Sequence, residues 1–267
     1  MKTNKITIIG GGNIGKSIAL GLSKVEDLKE SEIWVTRRRT SLIEYLKEDG
    51  IKISSNNREA VKDADIIFLA VKPWQVKDIL EEIKDELIEN KTIIASVAAT
   101  VVTEDIQDII GYDKYPVFMV MPSTAMSISE SMTCIAQNNK WEKEQTLLEN
   151  LFNKCGSCIV LPQELMPAAT VLASCGIAFA FRYMRAAIQG GVEVGFGADI
   201  AKQIVAQTVK GAASMIADKG LHPESEIDKV TTPKGITIAG LNEMEHHGFS
   251  SSIIKGLVSS FDKMKKN

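Results

Sequence analysis

KITIIGGGNIGKSIAL, residues 5–20, is the stretch that decides the fold of this chain. It begins with a continuous run of apolar, mostly β-branched residues, which predicts a buried strand. Gly10, Gly12 and Gly15 follow at once, and a helical pattern then runs to residue 22. Between a strand and a helix, glycines at this spacing permit a tight turn, close approach of the backbone to a pyrophosphate, and close packing of the helix on the strand. The stretch therefore predicts a dinucleotide site.

The start of the predicted helix supplies the phosphate contact. Backbone N–H groups in the first turn of a helix have no intrahelical acceptor, and they lie at its positive end. We expect the N–H groups of Gly12, Asn13 and Ile14 to face the anion there.

The second predicted strand, EIWVT at residues 32–36, runs into three arginines. Sites for NAD usually carry an acidic residue at this point to bind both ribose hydroxyls, and this chain has none there. Adjacent guanidinium groups bind a phosphate through forked, charge-assisted hydrogen bonds. Arg37 and Arg38 therefore predict a preference for NADP over NAD, and the alternative is a solvated basic turn.

Strand and helix patterns alternate through the N-terminal part of the chain. Further strands are predicted at residues 66–71, 91–99, 117–122 and 158–162, with helices at 41–49 and 75–88. Such alternation predicts a parallel, Rossmann-type sheet over residues 1–162, in an α/β fold, with ligands outside the carboxyl ends of the strands. The further candidate cofactor residues are Asn57, Ala70, Val71, Lys72, Pro73 and Ala98.

From residue 163 onward the patterns predict an all-helical domain that reaches residue 267. Its helices are expected at 166–194, 198–219, 237–247 and 250–264. The first is nearly apolar on all faces, and such a helix in a soluble protein is buried on several sides. We therefore expect a homodimer through this half, with a higher assembly of dimers left open. Arg182 and Arg185 interrupt the apolar stretch before it reaches membrane-spanning length, so we expect a buried helix and no membrane contact.

A second candidate site is VTTPKGITIAG, residues 230–240. Proline and glycine fix a turn there, and the N–H groups from Gly235 to Thr237 are expected to point outward at the positive end of the next helix. Such an end suits a carboxylate, and the Thr237 hydroxyl is available to bond a substrate nitrogen or carbonyl. The alternative is a plain helix start that Thr232 or Thr237 caps.

Composition argues against several other functions. The 267 residues are 45% hydrophobic and 24% charged, and a net charge of −3 provides no basic field for nucleic acid. The N-terminus has no signal-peptide pattern, so a cytoplasmic protein is expected. Cys155 and Cys158 form a C-x-x-C pair outside a thioredoxin-like pattern, so packing is favoured over a redox role. The three histidines lack metal-ligand spacing, and no metal site is predicted.

Several motifs follow one another in a characteristic order along the chain. They are GGGNIGKSIALGL at 10–22, the basic end of the second strand, AVKP at 70–73, SVAA at 96–99, MPST at 121–124, HP at 222–223 and VTTPKGITIAGL at 230–241. Together they resemble the pyrroline-5-carboxylate reductase family over essentially the whole chain. The last motif is the most specific, because dinucleotide-binding proteins in general do not carry it.

The resemblance implies a Rossmann domain, a helical dimerisation domain, and an active site that uses the helical domains of both subunits. It implies NADPH-dependent reduction of L-1-pyrroline-5-carboxylate to L-proline, the last step of proline synthesis. A protonated cyclic imine is already an electrophile for hydride from the nicotinamide, so the protein contributes chiefly positioning. Thr237 is the implied catalytic residue near the imine nitrogen. The implied substrate-binding residues are Thr232, Lys234, Gly235, Ile236 and Thr237.

The chain departs from the family patterns RxMPNTP and SPGGxT at several positions. Met119, Ser123, Ala125 and Lys234 stand in place of an arginine, an asparagine, a proline and a glycine. Lys234 either adds charge to the carboxylate pocket or points to water. Arg182, Arg185 and Gln189 share one helix face, which is expected to be a solvated or intersubunit surface, the alternative being an altered substrate wall. Two other functions stay open: reduction of a different cyclic imino acid, or a non-catalytic NADP-binding regulatory role.

Overall fold

The protein is described by a computed structural model over residues 3–265, and the chain forms two compact units. The first unit runs to Cys175 and also includes the residues from Lys263 onward, and the second runs from Gly176 to Asp262. The division falls inside a helical stretch, later than residue 162, where the sequence predicts the domain boundary. That boundary remains a prediction.

A single eight-stranded sheet forms the centre of the first unit. Its strands are β1 (Lys5–Ile9), β2 (Glu32–Thr36), β3 (Lys52–Ser54), β4 (Ile66–Leu69), β5 (Ile93–Ser96), β6 (Val117–Met121), β7 (Ser131–Ala136) and β8 (Gly156–Leu161). They are ordered β3-β2-β1-β4-β5-β6-β7-β8, and every neighbouring pair is parallel except β6 and β7. The predicted parallel sheet is therefore confirmed for every neighbouring pair except this one, which includes a strand that the sequence does not predict. The connection between β6 and β7 is too short for the helical crossover that parallel neighbours need.

Two strands lie outside the predicted ones. β3 has only three residues, and its alternation is too short to stand out in the sequence. β7 carries two buried hydroxyl groups, those of Ser131 and Thr133. Their Oγ and Oγ1 atoms lie 3.1 Å apart and hydrogen-bond to each other. A strand whose polar side chains satisfy one another inside the protein lacks the apolar pattern that identified the others.

The core lies on both faces of the sheet. All four residues of β4 are buried, with Ile66 and Phe68 in the cluster on one face and Ile67 and Leu69 in the cluster on the other. A strand covered on both sides reads as a continuous apolar run, as this one does.

Helices of the first unit connect and cover the strands. They are α1 (Asn13–Leu22), α2 (Asn57–Val61), α3 (Val76–Ile83), α4 (Thr103–Ile110) and α5 (Glu142–Asn153). The helix predicted at 41–49 is instead a pair of 3-10 segments, Thr40–Leu42 and Glu44–Asp49. Its two fully buried side chains, Ile43 and Leu46, are three residues apart, the repeat of a 3-10 turn.

The long helix predicted at 166–194 is a continuous helical stretch with a change of winding. It comprises α6 (Met166–Ala169), a π-helical segment (Thr170–Cys175) and α7 (Gly176–Glu193). The Thr170 hydroxyl donates to the Met166 carbonyl oxygen at 2.8 Å where the winding changes. By length and composition alone, Gln163–Glu193 is long and apolar enough to cross a membrane, but the core helix of a soluble protein passes the same test. Only 17% of the apolar window of this stretch is buried within the single chain. The burial expected of this helix is therefore not supplied by the single chain.

The second unit contains α7 and four further helices. These are α8 (Ala198–Lys219), α9 (Pro223–Lys229), α10 (Ile236–His246) and α11 (Phe249–Lys265), the last of which ends in the first unit. The sequence reading missed α9, whose start is fixed by Pro223 and by His222, the ring of which accepts a hydrogen bond from the Glu224 N–H at 3.3 Å. The rings of Tyr183 and Phe249 meet edge to face, with centroids 6.3 Å apart.

Candidate active site

Two glycines of the turn between β1 and α1, Gly10 and Gly15, have no room for a side chain. Gly10 has a φ of +109°, and a Cβ there would lie 2.3 Å from the Ala70 carbonyl oxygen. A Cβ on Gly15 would lie 2.0 Å from the Gly10 carbonyl oxygen. The first glycine therefore lets the turn pass the end of β4, and the last lets α1 pack on the turn.

Gly12 has the opposite surroundings. A Cβ at Gly12 would meet no atom within 4 Å, so the turn is open on this side. Gly12 is the N-cap of α1, and no side chain of the described residues caps this helix start. The N–H groups of Asn13 and Ile14 lie in its first turn, where intrahelical acceptors are absent. An open cradle beside uncapped N–H groups fits a pyrophosphate, as the sequence predicts for Gly12, Asn13 and Ile14.

The end of β2 holds the same turn from the other side. The N–H groups of Gly10 and Gly11 both donate to the Thr36 carbonyl oxygen, at 3.1 and 2.8 Å. The next residue, Arg37, is half-buried, and its Nη1 donates to the Gly11 carbonyl oxygen at 2.7 Å. The sequence analysis did not predict this contact. Its only signal in the sequence is an arginine that directly follows the strand beside the glycine turn.

The two arginines after Arg37 are exposed. Neither the Arg38 nor the Arg39 side chain makes a hydrogen bond or ion pair with another residue of the described range 3–265. Their guanidinium groups are accordingly available to a phosphate in solution, which is what the NADP prediction requires of Arg38.

The segment after β4 lies directly beside the glycine turn. The Ala70 N–H donates to the Ile9 carbonyl oxygen at 2.8 Å, and the Val71 side chain lies 2.8 Å from the position of a Cβ on Gly10. Lys72 is exposed, and its N–H donates to the side-chain oxygen of Gln75 at 3.2 Å. Pro73 then begins a short 3-10 segment. The structure thus brings Ala70 and Val71 to the predicted cofactor site and leaves the Lys72 ammonium in solvent.

Two predicted cofactor residues occupy other strand ends. Ala98 is buried after β5, with its N–H donating to the Ser96 hydroxyl at 3.3 Å. Asn57 is half-buried at the start of α2, and its side-chain amide donates to a Glu82 carboxylate oxygen at 3.0 Å. Neither contact involves the glycine turn, so a role in cofactor binding stays a prediction for both residues.

The loop that departs from the family pattern follows β6. Met119 and Met121 are buried in an apolar cluster with Met166, and both line a cavity of about 310 Å³ beside it. Ser123 is also buried, and its N–H donates to the Ser131 hydroxyl at 3.0 Å. The thioether of Met119 suits this apolar setting, where an unpaired arginine would carry a large desolvation cost.

The predicted substrate loop lies in the second unit, at the start of α10. Gly235 is its N-cap, its N–H donates to the Thr232 carbonyl oxygen at 2.8 Å, and no side chain caps the helix. The alternative, in which Thr232 or Thr237 caps this end, is not what the structure has, because Gly235 is the N-cap and Thr237 lies inside the first turn. Thr237 and Ile236 are exposed, the latter to 92%. Uncapped N–H groups beside an unoccupied hydroxyl are the features that the carboxylate prediction needs.

Lys234 adopts the left-handed conformation, with a φ of +59°. This is the region that glycine enters without cost, so the lysine at this position of the TPKG turn is strained. Its side chain is exposed and has no ion pair within the described residues. The turn thus keeps a glycine-like conformation and adds a free positive charge beside Gly235.

The other reactive side chains are not arranged for catalysis. Burial raises the pKa of the Cys155 thiol to about 11 and that of the Cys158 thiol to about 12, which favours the packing role over the redox one. Among residues 3–265 there is no group of three or more His, Cys, Asp or Glu residues that could hold a metal ion.

Comparisons with protein-family models match both parts of the chain. A model described as pyrroline-5-carboxylate reductase dimerisation matches residues 163–267. A second model, described as NADP oxidoreductase coenzyme F420-dependent, matches residues 5–100.

Individual relatives cover the chain from end to end. It is 44% identical to pyrroline-5-carboxylate reductase 2 of Dictyostelium discoideum, over 100% of this chain and 94% of that protein. It is 43% identical to pyrroline-5-carboxylate reductase 1 of the same organism over 97% of its own length, and it spans 49% of that longer relative. The solved structure of a pyrroline-5-carboxylate reductase from Coxiella burnetii matches with a TM-score of 0.86 at 28% identity, over 100% of this chain and 98% of that one. By sequence and by fold, this chain belongs to the pyrroline-5-carboxylate reductase family.

Proposed function

We propose that this chain reduces L-1-pyrroline-5-carboxylate to L-proline with NADPH, as an oxidoreductase of proline biosynthesis. The observation that carries the proposal is that two helix starts with glycine as N-cap, at Gly12 and Gly235, lie in the predicted cofactor and substrate motifs and that no side chain caps either. Both ends offer backbone N–H groups to anions, and the two anions of the reaction are the cofactor pyrophosphate and the substrate carboxylate.

NADP fits the first of these ends. The open side of Gly12 leaves room for the pyrophosphate, and the exposed Arg38 supplies a cation for a 2′-phosphate. When bound, the reduced cofactor supplies the hydride, so the chain itself binds and orients the reactants. The residues proposed to hold the cofactor are Gly10, Gly12, Asn13, Ile14, Gly15, Arg37, Arg38, Asn57, Ala70, Val71, Lys72, Pro73 and Ala98.

The substrate is proposed to bind at the second end. The N–H groups of Gly235 to Thr237, with Thr232 and the Lys234 ammonium beside them, hold its carboxylate. The Thr237 hydroxyl bonds near the imine nitrogen and is the proposed catalytic residue. A protonated imine needs no further acid or base, which is consistent with the lack of a histidine or cysteine in this loop.

We also propose a homodimer formed through the helical domain, residues 163–267, with the Rossmann domain over residues 1–162. Its support is the matched dimerisation model together with the apolar side chains that α7 and α8 expose in the single chain. A soluble protein covers so large an apolar surface by association. A cytoplasmic location, and the absence of membrane and nucleic-acid partners, complete the proposal.

The test is NADPH oxidation by the purified protein with and without L-1-pyrroline-5-carboxylate, repeated with NADH. Thr237→Ala is expected to lower kcat by about tenfold or more while the Kd for NADPH changes little, since the lost hydroxyl touches only the substrate. Thr146→Ala on α5 is a matched control, because it removes an exposed helical threonine hydroxyl elsewhere. Unchanged kcat in Thr237→Ala would remove that residue from the mechanism.

A different cyclic imino acid is the second candidate substrate. Two departures from the family pattern favour it. Met119 replaces an arginine and lines a cavity, and the strained Lys234 replaces a glycine. Comparing kcat/KM for five- and six-membered imino acids decides between them, and a much higher value for the larger ring would replace the proline assignment. Tight NADPH binding without turnover of either ring would instead indicate a regulatory protein.

A further inference from the structure

We infer that Arg37 is a positioning residue that turns the Gly12 amide toward the cofactor pyrophosphate, which leaves the 2′-phosphate contact already proposed to Arg38. The inference rests on the proposed NADP-dependent function and divides two roles that the sequence assigns to both arginines together. Its structural basis is the hydrogen bond from Arg37 Nη1 to the Gly11 carbonyl oxygen, 2.7 Å long.

The planarity of the peptide bond turns this contact into an orientation. No peptide bond in the described chain is cis, so the C=O of Gly11 and the N–H of Gly12, which belong to one trans unit, point in opposite directions. With the oxygen held by Arg37, the Gly12 N–H points to the far side of the turn. A Cβ on Gly12 would find nothing within 4 Å. Arg37 therefore fixes the direction of the Gly12 N–H, which lies on the side of the peptide away from the arginine.

The arginine side chain is itself held in place. Its Cβ lies 3.3 Å from the position of a Cβ on Gly11, so its stem packs against the turn. The Arg37 N–H donates to the Ser54 carbonyl oxygen at 3.0 Å, which fixes the backbone at the end of β2. Since glycine has the freest backbone of any residue, a turn of three consecutive glycines needs such external contacts to keep one peptide orientation.

Arg38 and Arg39 lack these restraints. Both are exposed, and neither side chain hydrogen-bonds or ion-pairs with another residue in the described part of the chain. A flexible guanidinium at this end of the strand can follow a 2′-phosphate, whereas the guanidinium of Arg37 is committed to the turn. NADPH and NADH share the pyrophosphate and differ in the 2′-phosphate, so the two arginines are expected to affect the two cofactors differently.

The test is calorimetric titration of the whole protein with NADPH and NADH, and with adenosine 2′,5′-bisphosphate and 5′-AMP. Arg37→Ala is expected to weaken NADPH and NADH by the same factor, roughly three- to tenfold, and to leave their ratio unchanged. Arg38→Ala is expected to weaken NADPH and the bisphosphate by about tenfold or more and to leave NADH and 5′-AMP unchanged. Lys29→Ala, which removes an exposed cation at the other edge of the sheet, is the control.

Arg37→Gln keeps a donor for the Gly11 carbonyl but removes the charge, and it serves if Arg37→Ala fails to fold. Near-normal binding of both dinucleotides by Arg37→Gln supports the inference that Arg37 acts through its hydrogen bond to the Gly11 carbonyl oxygen. Selective loss of NADPH in either Arg37 variant, or unchanged binding in both, overturns the inference. Wild-type protein that binds neither dinucleotide would defeat the proposed function instead, so the two failures are distinguishable.

Discussion

The two units of this chain obtain their stability in different ways. In the first, β4 is buried on both faces and two apolar clusters enclose the sheet. In the second, Ala201 is the single buried residue among those described from Gly176 to Asp262. Apolar side chains such as Ile200 and Ile204 are 55% and 46% exposed there. The first unit completes its core within one chain, whereas the second leaves apolar surface exposed, which the proposed homodimer would cover.

The same difference appears at the two helix starts of the candidate site. In the turn at Gly10 to Gly15, the Gly10 and Gly15 positions are tightly enclosed within the first unit, whereas Gly12 is open. The turn before α10 is exposed, and a strained lysine lies within it. The predicted cofactor turn is thus held by contacts within its own unit, whereas the predicted substrate loop is exposed in the single chain.

The largest effect is expected from breaking the enclosed turn. Gly15→Ala places a Cβ 2.0 Å from a backbone oxygen and is expected to destabilise the first unit by about 3 kcal/mol, the upper range for overpacking. Gly12→Ala faces open space, so it is expected to keep the stability of the wild type and to lose dinucleotide affinity. Thermal unfolding and NADPH titration of both variants check this pair. Equal stability of the two would contradict the packing read from the glycine positions.

The next effect tests the incomplete core of the second unit. Ile200 and Ile204 lie one turn apart on α8, and replacing both by Asp is expected to weaken dimerisation by about 2 kcal/mol or more, since unpaired charge would be desolvated. Light scattering over a dilution series measures the change. Gln203→Asp combined with Gln207→Asp is the control, because the pair adds the same two charges at exposed polar positions of the same helix. A dimer that survives the double replacement places its interface on other helices.

The smallest effect concerns the strained loop. Lys234→Gly relieves a positive φ and is expected to raise the free energy of unfolding by up to about 1 kcal/mol, reduced by the greater freedom of glycine in the unfolded chain. It also removes the free ammonium, so KM for the imino acid is expected to rise modestly. Denaturant unfolding measures the change in stability, and initial rates measure the change in KM. Lowered KM would show that the lysine hinders the substrate.

Much of the fold follows from local patterns. Strand β1, the glycines and α1 carry three agreeing signals, namely apolar run, turn chemistry and helical periodicity, and these elements lie where the sequence predicts them. β7 escaped because its buried hydroxyls satisfy one another, a pairing that only the folded chain reveals. The direction of β7 likewise depended on the length of a connection and not on any residue.

The candidate site divides in the same way. Backbone features such as the Gly12 cradle can be inferred from motif spacing, because they depend on residues close in sequence. The Arg37 contact joins residues 26 positions apart through a side chain, and no periodicity indicates it. That Thr237 lies in the first turn of α10, and not at its cap, follows only from the folded structure, in which the helix begins at Ile236.

The C-x-x-C pair of the first unit has a consequence for how this protein responds to oxidants. With thiol pKa values of about 11 and 12, Cys155 and Cys158 are deprotonated at neutral pH in only about one molecule in ten thousand or fewer. Peroxides and alkylating reagents attack the thiolate, so both sulfurs are expected to react slowly even though their spacing matches that of redox proteins. The enzyme is therefore expected to keep both thiols reduced and unmodified at oxidant concentrations that oxidise the C-x-x-C pairs of redox proteins.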